Sequence, residues 1–119
     1  MNTVSLGQQG EKAAARYLQQ NGYTLLEQNF RLPWGEIDLI AKEGDVLVFV
    51  EVKSWRVHTE DQLGYSINHS KKGKLVSLAK EYLRVHPEYA ENPARFDVLF
   101  VQDDPGRIIH YKDAFTEGR

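Results

Sequence analysis

The sequence predicts a mixed α/β sheet with a helix on each face, in the order αβββαββ. Three observations predict it. Residues 7–21 and 70–86 repeat apolar side chains at helical spacing. Short runs rich in Val, Ile, Leu and Phe lie between and after them, separated by turns containing Gly, Pro and Asp. One of these runs, Val46-Leu47-Val48-Phe49-Val50, is apolar without alternation, the mark of a strand covered on both sides.

In the first helix, Leu6, Ala13, Ala14, Tyr17 and Leu18 form the stripe, and Asn21-Gly22 supplies a C-terminal stop. Residues 23–31 read as a strand, with Tyr23, Leu25 and Phe30 as its apolar surface, and Pro33-Trp34 as a turn. Residues 35–42 and 46–54 read as a hairpin closed by Glu43-Gly44-Asp45. Residues 55–69 show no period; a connection this long is usually mobile or functional. Leu75, Leu78, Ala79, Tyr82 and Leu83 form the stripe of the second helix, which Pro87 ends. Residues 95–102 and 107–112 are two strands joined by Asp103-Asp104-Pro105-Gly106.

The 119 residues suit one domain spanning 1–119, long enough to bury a core without staples. There is no cysteine, hence no disulfide framework and no thiolate metal site, which fits a reducing compartment. Met1-Asn2-Thr3-Val4-Ser5-Leu6 has no basic region followed by an apolar stretch, and no apolar run approaches the length of a membrane span. A cytoplasmic location without a membrane partner is expected. The net charge of −2 argues mildly against nucleic-acid binding, but Lys71, Lys72 and Lys74 cluster, and distribution matters more than the sum.

The informative strand is the one that should not carry charge. In Val46-Leu47-Val48-Phe49-Val50-Glu51-Val52-Lys53, Glu51 and Lys53 continue the row of Leu47 and Phe49. A lone buried carboxylate costs several kcal/mol or shifts its pKa until it neutralises, so something must compensate Glu51. In the preceding strand, Ile37, Leu39 and Ala41 are expected on one face and Glu36, Asp38 and Ile40 on the other. Register then decides the chemistry. If opposed residue numbers sum to 89, Asp38 faces Glu51 and Glu36 faces Lys53; if 87, Glu36 faces Glu51. An even sum would separate Asp38 from Glu51, and an odd one is expected. Two carboxylates about 5 Å apart repel by roughly 3 kcal/mol at an effective dielectric near 20, and a divalent cation turns repulsion into attraction. Oxygen ligands without thiolates or paired histidines suit Mg²⁺ or Mn²⁺, with the Val52 carbonyl as a further ligand. The structural alternative is a Glu51–Lys53 pair at a strand end and a solvated Asp38.

Gly35-Glu36-Ile37-Asp38 followed by Phe49-Val50-Glu51-Val52-Lys53 resembles the PD-(D/E)XK nuclease motif, with Ile37 in place of the usual proline. With Gly10-Glu11, Ala14, Gly22-Tyr23, Asn29-Phe30-Arg31 and Arg95-Phe96-Asp97-Val98, nearly the whole chain resembles the bacterial YraN-like family, which is similar to archaeal Holliday-junction resolvases. The resemblance implies a restriction-endonuclease-like fold. It also implies that Asp38 and Glu51 are metal ligands, Lys53 the catalytic lysine, and Glu11 the acid on the first helix of resolvase-like relatives. An arginine common two positions after the motif lysine is here Trp55, with Arg56 one later.

The remaining candidates carry two readings each. Glu11 leans towards the metal or is a first-turn acid favoured by the helix dipole. Glu36 is an acid supporting the site or a hairpin residue paired with a lysine. Lys71, Lys72 and Lys74 oppose the dipole of their helix, so they await a phosphate there or are a solvated charge run. Arg31 and Arg56 join them as candidate nucleic-acid contacts. Trp34, Trp55 and Tyr65 stack on unpaired bases or serve as packing or a dimer surface. His58 and His69 lack ligand spacing, and Asp97 is expected to pair with Arg95 or Arg31 rather than bind metal. Two functions follow. One is a metal-dependent endonuclease on branched or structured DNA, working as a homodimer or with a protein partner; the other is a nucleic-acid-binding module that keeps the scaffold with little chemistry.

Overall fold

The computed structural model describes residues 6–55, 69–102 and 107–115. Helix α1 (Leu6–Gln20) is followed by strands β1 (Thr24–Leu32), β2 (Gly35–Glu43) and β3 (Val46–Trp55). Then come helix α2 (His69–Val85), one 3-10 turn (Pro87–Tyr89), and strands β4 (Ala94–Gln102) and β5 (Ile108–Phe115). The expected order αβββαββ is the observed one. The five strands form one sheet in chain order, antiparallel except for β3 and β4. A parallel pair needs a crossover, and the stretch containing α2 supplies it. Among the described residues no helix is long and apolar enough to cross a membrane.

Helix α1 ends as Asn21-Gly22 requires. Gly22 takes φ +88°, its N–H bonds the Gln19 carbonyl (3.2 Å), and the Tyr23 N–H bonds that of Leu18 (3.0 Å). This doubly bonded cap turns the chain straight into the sheet. The two cores lie on opposite faces. Leu39, Ala41, Val48, Val50, Leu99 and Val101 pack with Ala14 and Leu18 of α1. Leu47, Phe49 and Ile40 pack with Leu75, Leu78 and Tyr82 of α2. Strand β3 feeds both cores, as its unbroken apolar run requires.

One expectation about faces fails. Ile37 does not share a side with Leu39 and Ala41; it is buried in the α2 core with Ile40. Strict alternation therefore breaks between Ile37 and Ile40, around Asp38. The β2–β3 pairing breaks at the same place: opposed numbers sum to 89 from Glu43↔Val46 to Leu39↔Val50, and pairing stops there. Beyond that point β2 stays with β1, through Arg31↔Glu36 and Leu32↔Gly35, while β3 stays with β4. The sheet forks where the charged residues begin.

Candidate active site

The fork places Asp38 on one prong and Glu51, Val52 and Lys53 on the other. Where the backbone ladder has ended, the Asp38 side chain replaces it, and its Oδ2 accepts the Val52 N–H at 2.8 Å. Asp38 is 8 % exposed and Glu51 4 %. Burial, followed by the hydrogen bond and negative charge of Glu51, pushes the Asp38 carboxyl up to about 8, against the pull of the Val52 N–H. Glu51 Oε2 is buried with no hydrogen bond to satisfy it. Two ammonium groups stand against it instead: Lys53 Nζ at 3.6 Å, and Lys71, which reaches in from the first turn of α2. Burial and the neighbouring Lys71 hold the Lys53 amine below its ordinary range. Burial also pulls on Lys71, but the Glu51 carboxylate outweighs it and holds that amine above the usual value.

These groups line a cleft of about 300 Å³ with Trp34, Gly35, Glu36, Lys74, Leu75 and Leu78. It lies between the β1–β2 turn and the start of α2. Trp34 is 48 % exposed at its rim.

The donor set suits a hard divalent cation. Asp38 and Glu51 offer carboxylate oxygens, and Val52, which also lines the cleft, is a candidate for a backbone carbonyl ligand. Mg²⁺ binds through one or two carboxylates while keeping several waters, so a two-acid site is enough. Among the described residues no cluster of three or more acidic, histidine or cysteine side chains gathers.

Glu11 belongs to the same neighbourhood. Burial raises its pKa, with Glu36 and Glu51 adding to the effect and Asn29 and Arg31 opposing it. With its amide oriented so that nitrogen faces the acids, Asn29 donates to Glu11 Oε1 (3.0 Å) and Glu36 Oε2 (3.3 Å). Asn29 holds the left-handed φ of +55°, a conformation asparagine tolerates better than most residues. Gly10 brings Glu11 this close, because a Cβ there would collide with Ser54 Oγ on β3.

Other candidates are placed differently. Glu36 pairs with Arg31 (3.1 Å), not with Lys53, so Arg31 is tied at the β1–β2 turn. Lys72 sits over the Phe115 ring, 5.8 Å from its centroid, and does not line the cleft as Lys71 and Lys74 do. Arg56, His58 and Tyr65 lie outside the described residues, as do the side chains of Leu6, Trp55 and His69. Asp97 pairs with Arg95 and not Arg31 (Nε–Oδ1 3.0 Å).

Sequence reasoning missed what surrounds Asp97. His110 Nε2 lies 2.7 Å from its Oδ2, the Asp113 N–H donates to its Oδ1 at 2.9 Å, and Tyr17 OH meets His110 Nδ1 at 3.0 Å. Arg95 extends the network to Tyr23 OH (2.7 Å) and Glu43 (2.8 Å). The signal was available: Asp97 shares a face with Leu99 and Val101, an acid in an apolar row like Glu51. Lys71 was visible only as a helix-terminal cation without a local reason; Glu51 is that reason.

A sequence model of the uncharacterised protein family UPF0102 matches residues 10–101. A UPF0102 protein of Thermodesulfovibrio yellowstonii is 42 % identical over 118 residues, covering 97 % of this chain and 99 % of its own. One of Chloroflexus aurantiacus is 44 % identical over 106 residues, covering 89 % and 86 %. The solved EndoMS–dsDNA2 complex superposes on 90 % of this chain and 48 % of its own, with a TM-score of 0.43 and 14 % identity. That superposition is too loose to bear on function.

Proposed function

We propose that this chain, which belongs to the uncharacterised protein family UPF0102, is a divalent-metal-dependent endonuclease acting on structured or branched DNA. One observation carries the reading. Two buried carboxylates, one with an unsatisfied oxygen, share an open cleft with Lys53 at the fork of a sheet. Asp38 has a single backbone donor and Glu51 is held by two lysines at an open cleft, a crowding of charge that a purely structural acid does not need.

Asp38, Glu51 and the Val52 carbonyl would hold Mg²⁺ or Mn²⁺. When bound, the ion supplies an activated water and neutralises charge on the phosphate. The chain's own groups do the rest. The Val52 N–H fixes the Asp38 carboxylate, and Glu11 and Glu36, bridged by Asn29, hold negative charge at the margin. Lys53 orients the attacking water and takes its proton, or neutralises charge building on the phosphoryl oxygens. A pH–rate profile separates the two roles, since only a base adds a limb to kcat/KM. Lys74 lies along the path of the phosphate backbone, and Trp34 offers a face to an unpaired base. The branched substrate rests on the resolvase-like motif spacing. Two-fold symmetric cutting then needs a homodimer, because one chain has one site.

The test is cleavage of junction, flap and linear DNA with Mg²⁺ or Mn²⁺, beside Asp38→Ala and Lys53→Ala. Each substitution is expected to lower the rate by about 10²–10³-fold. Cleavage that survives both would end this assignment. Binding without cleavage would favour the second reading, a nucleic-acid-binding module with little chemistry, which the net charge of −2 and the modest basic patch also favour.

A further inference from the structure

Resting on the metal site above, we infer that Lys71 stands in for the divalent cation: its ammonium neutralises Glu51 when no metal is bound, and it must leave for the metal to enter. Glu51 is buried, and the ammonium groups of Lys53 and Lys71 are what stand against its Oε2. Lys53 stands 3.6 Å away on the same strand and is fixed with it. Lys71 contacts the same oxygen from a different element, and its side chain is 39 % exposed, so it has a way out.

An ammonium in contact with a carboxylate oxygen and a divalent cation on that oxygen cannot coexist without strong repulsion. One of them must leave. Lys71 is the more exposed of the two lysines (39 % against 30 %) and is borne on a separate element, so it can withdraw without moving β3. Its position at the start of α2, where a helix disfavours cations, is offset by the contact with Glu51. Once released, Lys71 lies one turn from Lys74 on the same cleft, near the start of the helix. That arrangement suits a phosphate. Loading of the metal thus transfers one positive charge from the acid pair to the place where the DNA backbone runs. Metal and phosphate binding become coupled in that order.

The experiment measures Mn²⁺ binding without DNA, by calorimetry and electron paramagnetic resonance, on the full chain and on Lys71→Met, Lys71→Gln and Lys71→Arg. Lys71→Met is expected to bind Mn²⁺ about tenfold more tightly. It should also melt at a lower temperature than wild type in chelator and recover on adding Mn²⁺. Lys71→Arg, which keeps the charge, should stay near wild type in affinity. Lys71→Gln serves the same comparison if the methionine variant does not fold, and Asp38→Asn locates the binding by abolishing it. If wild type binds Mn²⁺ and neither neutral variant binds more tightly, the role of Lys71 is wrong and the metal site stands. If neither wild type nor the neutral variants bind Mn²⁺, the metal reading falls and this inference falls with it.

Discussion

Asp38 and Asp97 are buried acids on the same sheet, and their surroundings differ in kind. Asp97 is 1 % exposed and takes bonds from the Arg95 guanidinium, the His110 ring and the Asp113 N–H. Burial alone would raise its pKa, but those donors outweigh burial and hold it below the ordinary carboxylate range. Asp38 takes one backbone N–H, and its nearest acidic company, Glu51, adds to the effect of burial. Burial is the largest single influence in both places; the donors that surround Asp97 and are scarce at Asp38 decide the sign. A fold that can complete one acid this thoroughly leaves the other unfinished where a cleft opens, and the difference distinguishes scaffold from site.

The sharpest break of this comparison is by substitution. Asp97→Ala leaves the Arg95 guanidinium partly buried without its main partner and strips His110 Nε2 and the Asp113 N–H of theirs. It should cost about 3–5 kcal/mol, as removal of one member of a buried ion pair does. Asp38→Ala should cost no more than about 1 kcal/mol in chelator, because it removes a group the fold holds at a loss while giving up one hydrogen bond. Urea unfolding of the two variants at neutral pH checks the ranking. If Asp38→Ala proved the more damaging, the division into scaffold and site would be wrong.

The second contrast is in pH. Asp97 has a lowered folded pKa, so its stabilisation is complete above its unfolded value near 3.8 and is lost as pH falls through the folded value. For Asp38 the sign reverses. Its folded pKa is about 8 and its unfolded value 3.8, so the folded state holds the extra proton in that window, and stability falls as pH rises from about 4 to about 8. The urea midpoint of wild type minus that of Asp38→Asn, followed from pH 4 to 8, isolates the effect. Saturating Mn²⁺ should flatten the difference if Asp38 is a ligand; an equal slope in both proteins would refute the raised pKa.

The same physics explains what was legible in the sequence. Val46 to Val50 could only be a strand covered on both sides, and Gly22 after a helical stripe could only be a cap. Glu51 stood out because it continues an apolar row. The odd register, observed as a sum of 89, was expected because an even one would put Asp38 and Glu51 on opposite faces. The broken alternation at Ile37 was not legible, because it comes from the fork between β2 and β3, a tertiary event. The cluster of His110, Tyr17 and Arg95 around Asp97 joins residues up to 93 positions apart. No local period encodes such a meeting. Lys71 was visible as an anomaly of charge at a helix terminus, but its partner lies across the cleft.

Helix α1 touches both regions, and this gives the smallest and most local test. Tyr17 meets the Asp97 network through His110, while Gly10, seven residues earlier on the same face, lets the helix lie against Ser54 beside the cleft. A methyl group at Gly10 must displace Ser54 Oγ or lift this end of the helix, offset in part by the higher helix propensity of alanine. Gly10→Ala should therefore change stability by about 1 kcal/mol or less while moving Glu11 relative to the acid pair. Adding Ser54→Ala removes the colliding oxygen and should restore wild-type behaviour, because the nearest remaining atom, Ser54 Cβ, would be 3.4 Å away. The useful readout is Mn²⁺ affinity alongside the urea midpoint. A fall in affinity in Gly10→Ala that the double variant recovers would place Glu11 in the working site. Glu11 lies past the first turn of α1, so the alternative of a first-turn acid does not hold. If affinity ignores Gly10 while stability shifts, Glu11 has no part in the site, which reduces to Asp38, Glu51 and the lysines.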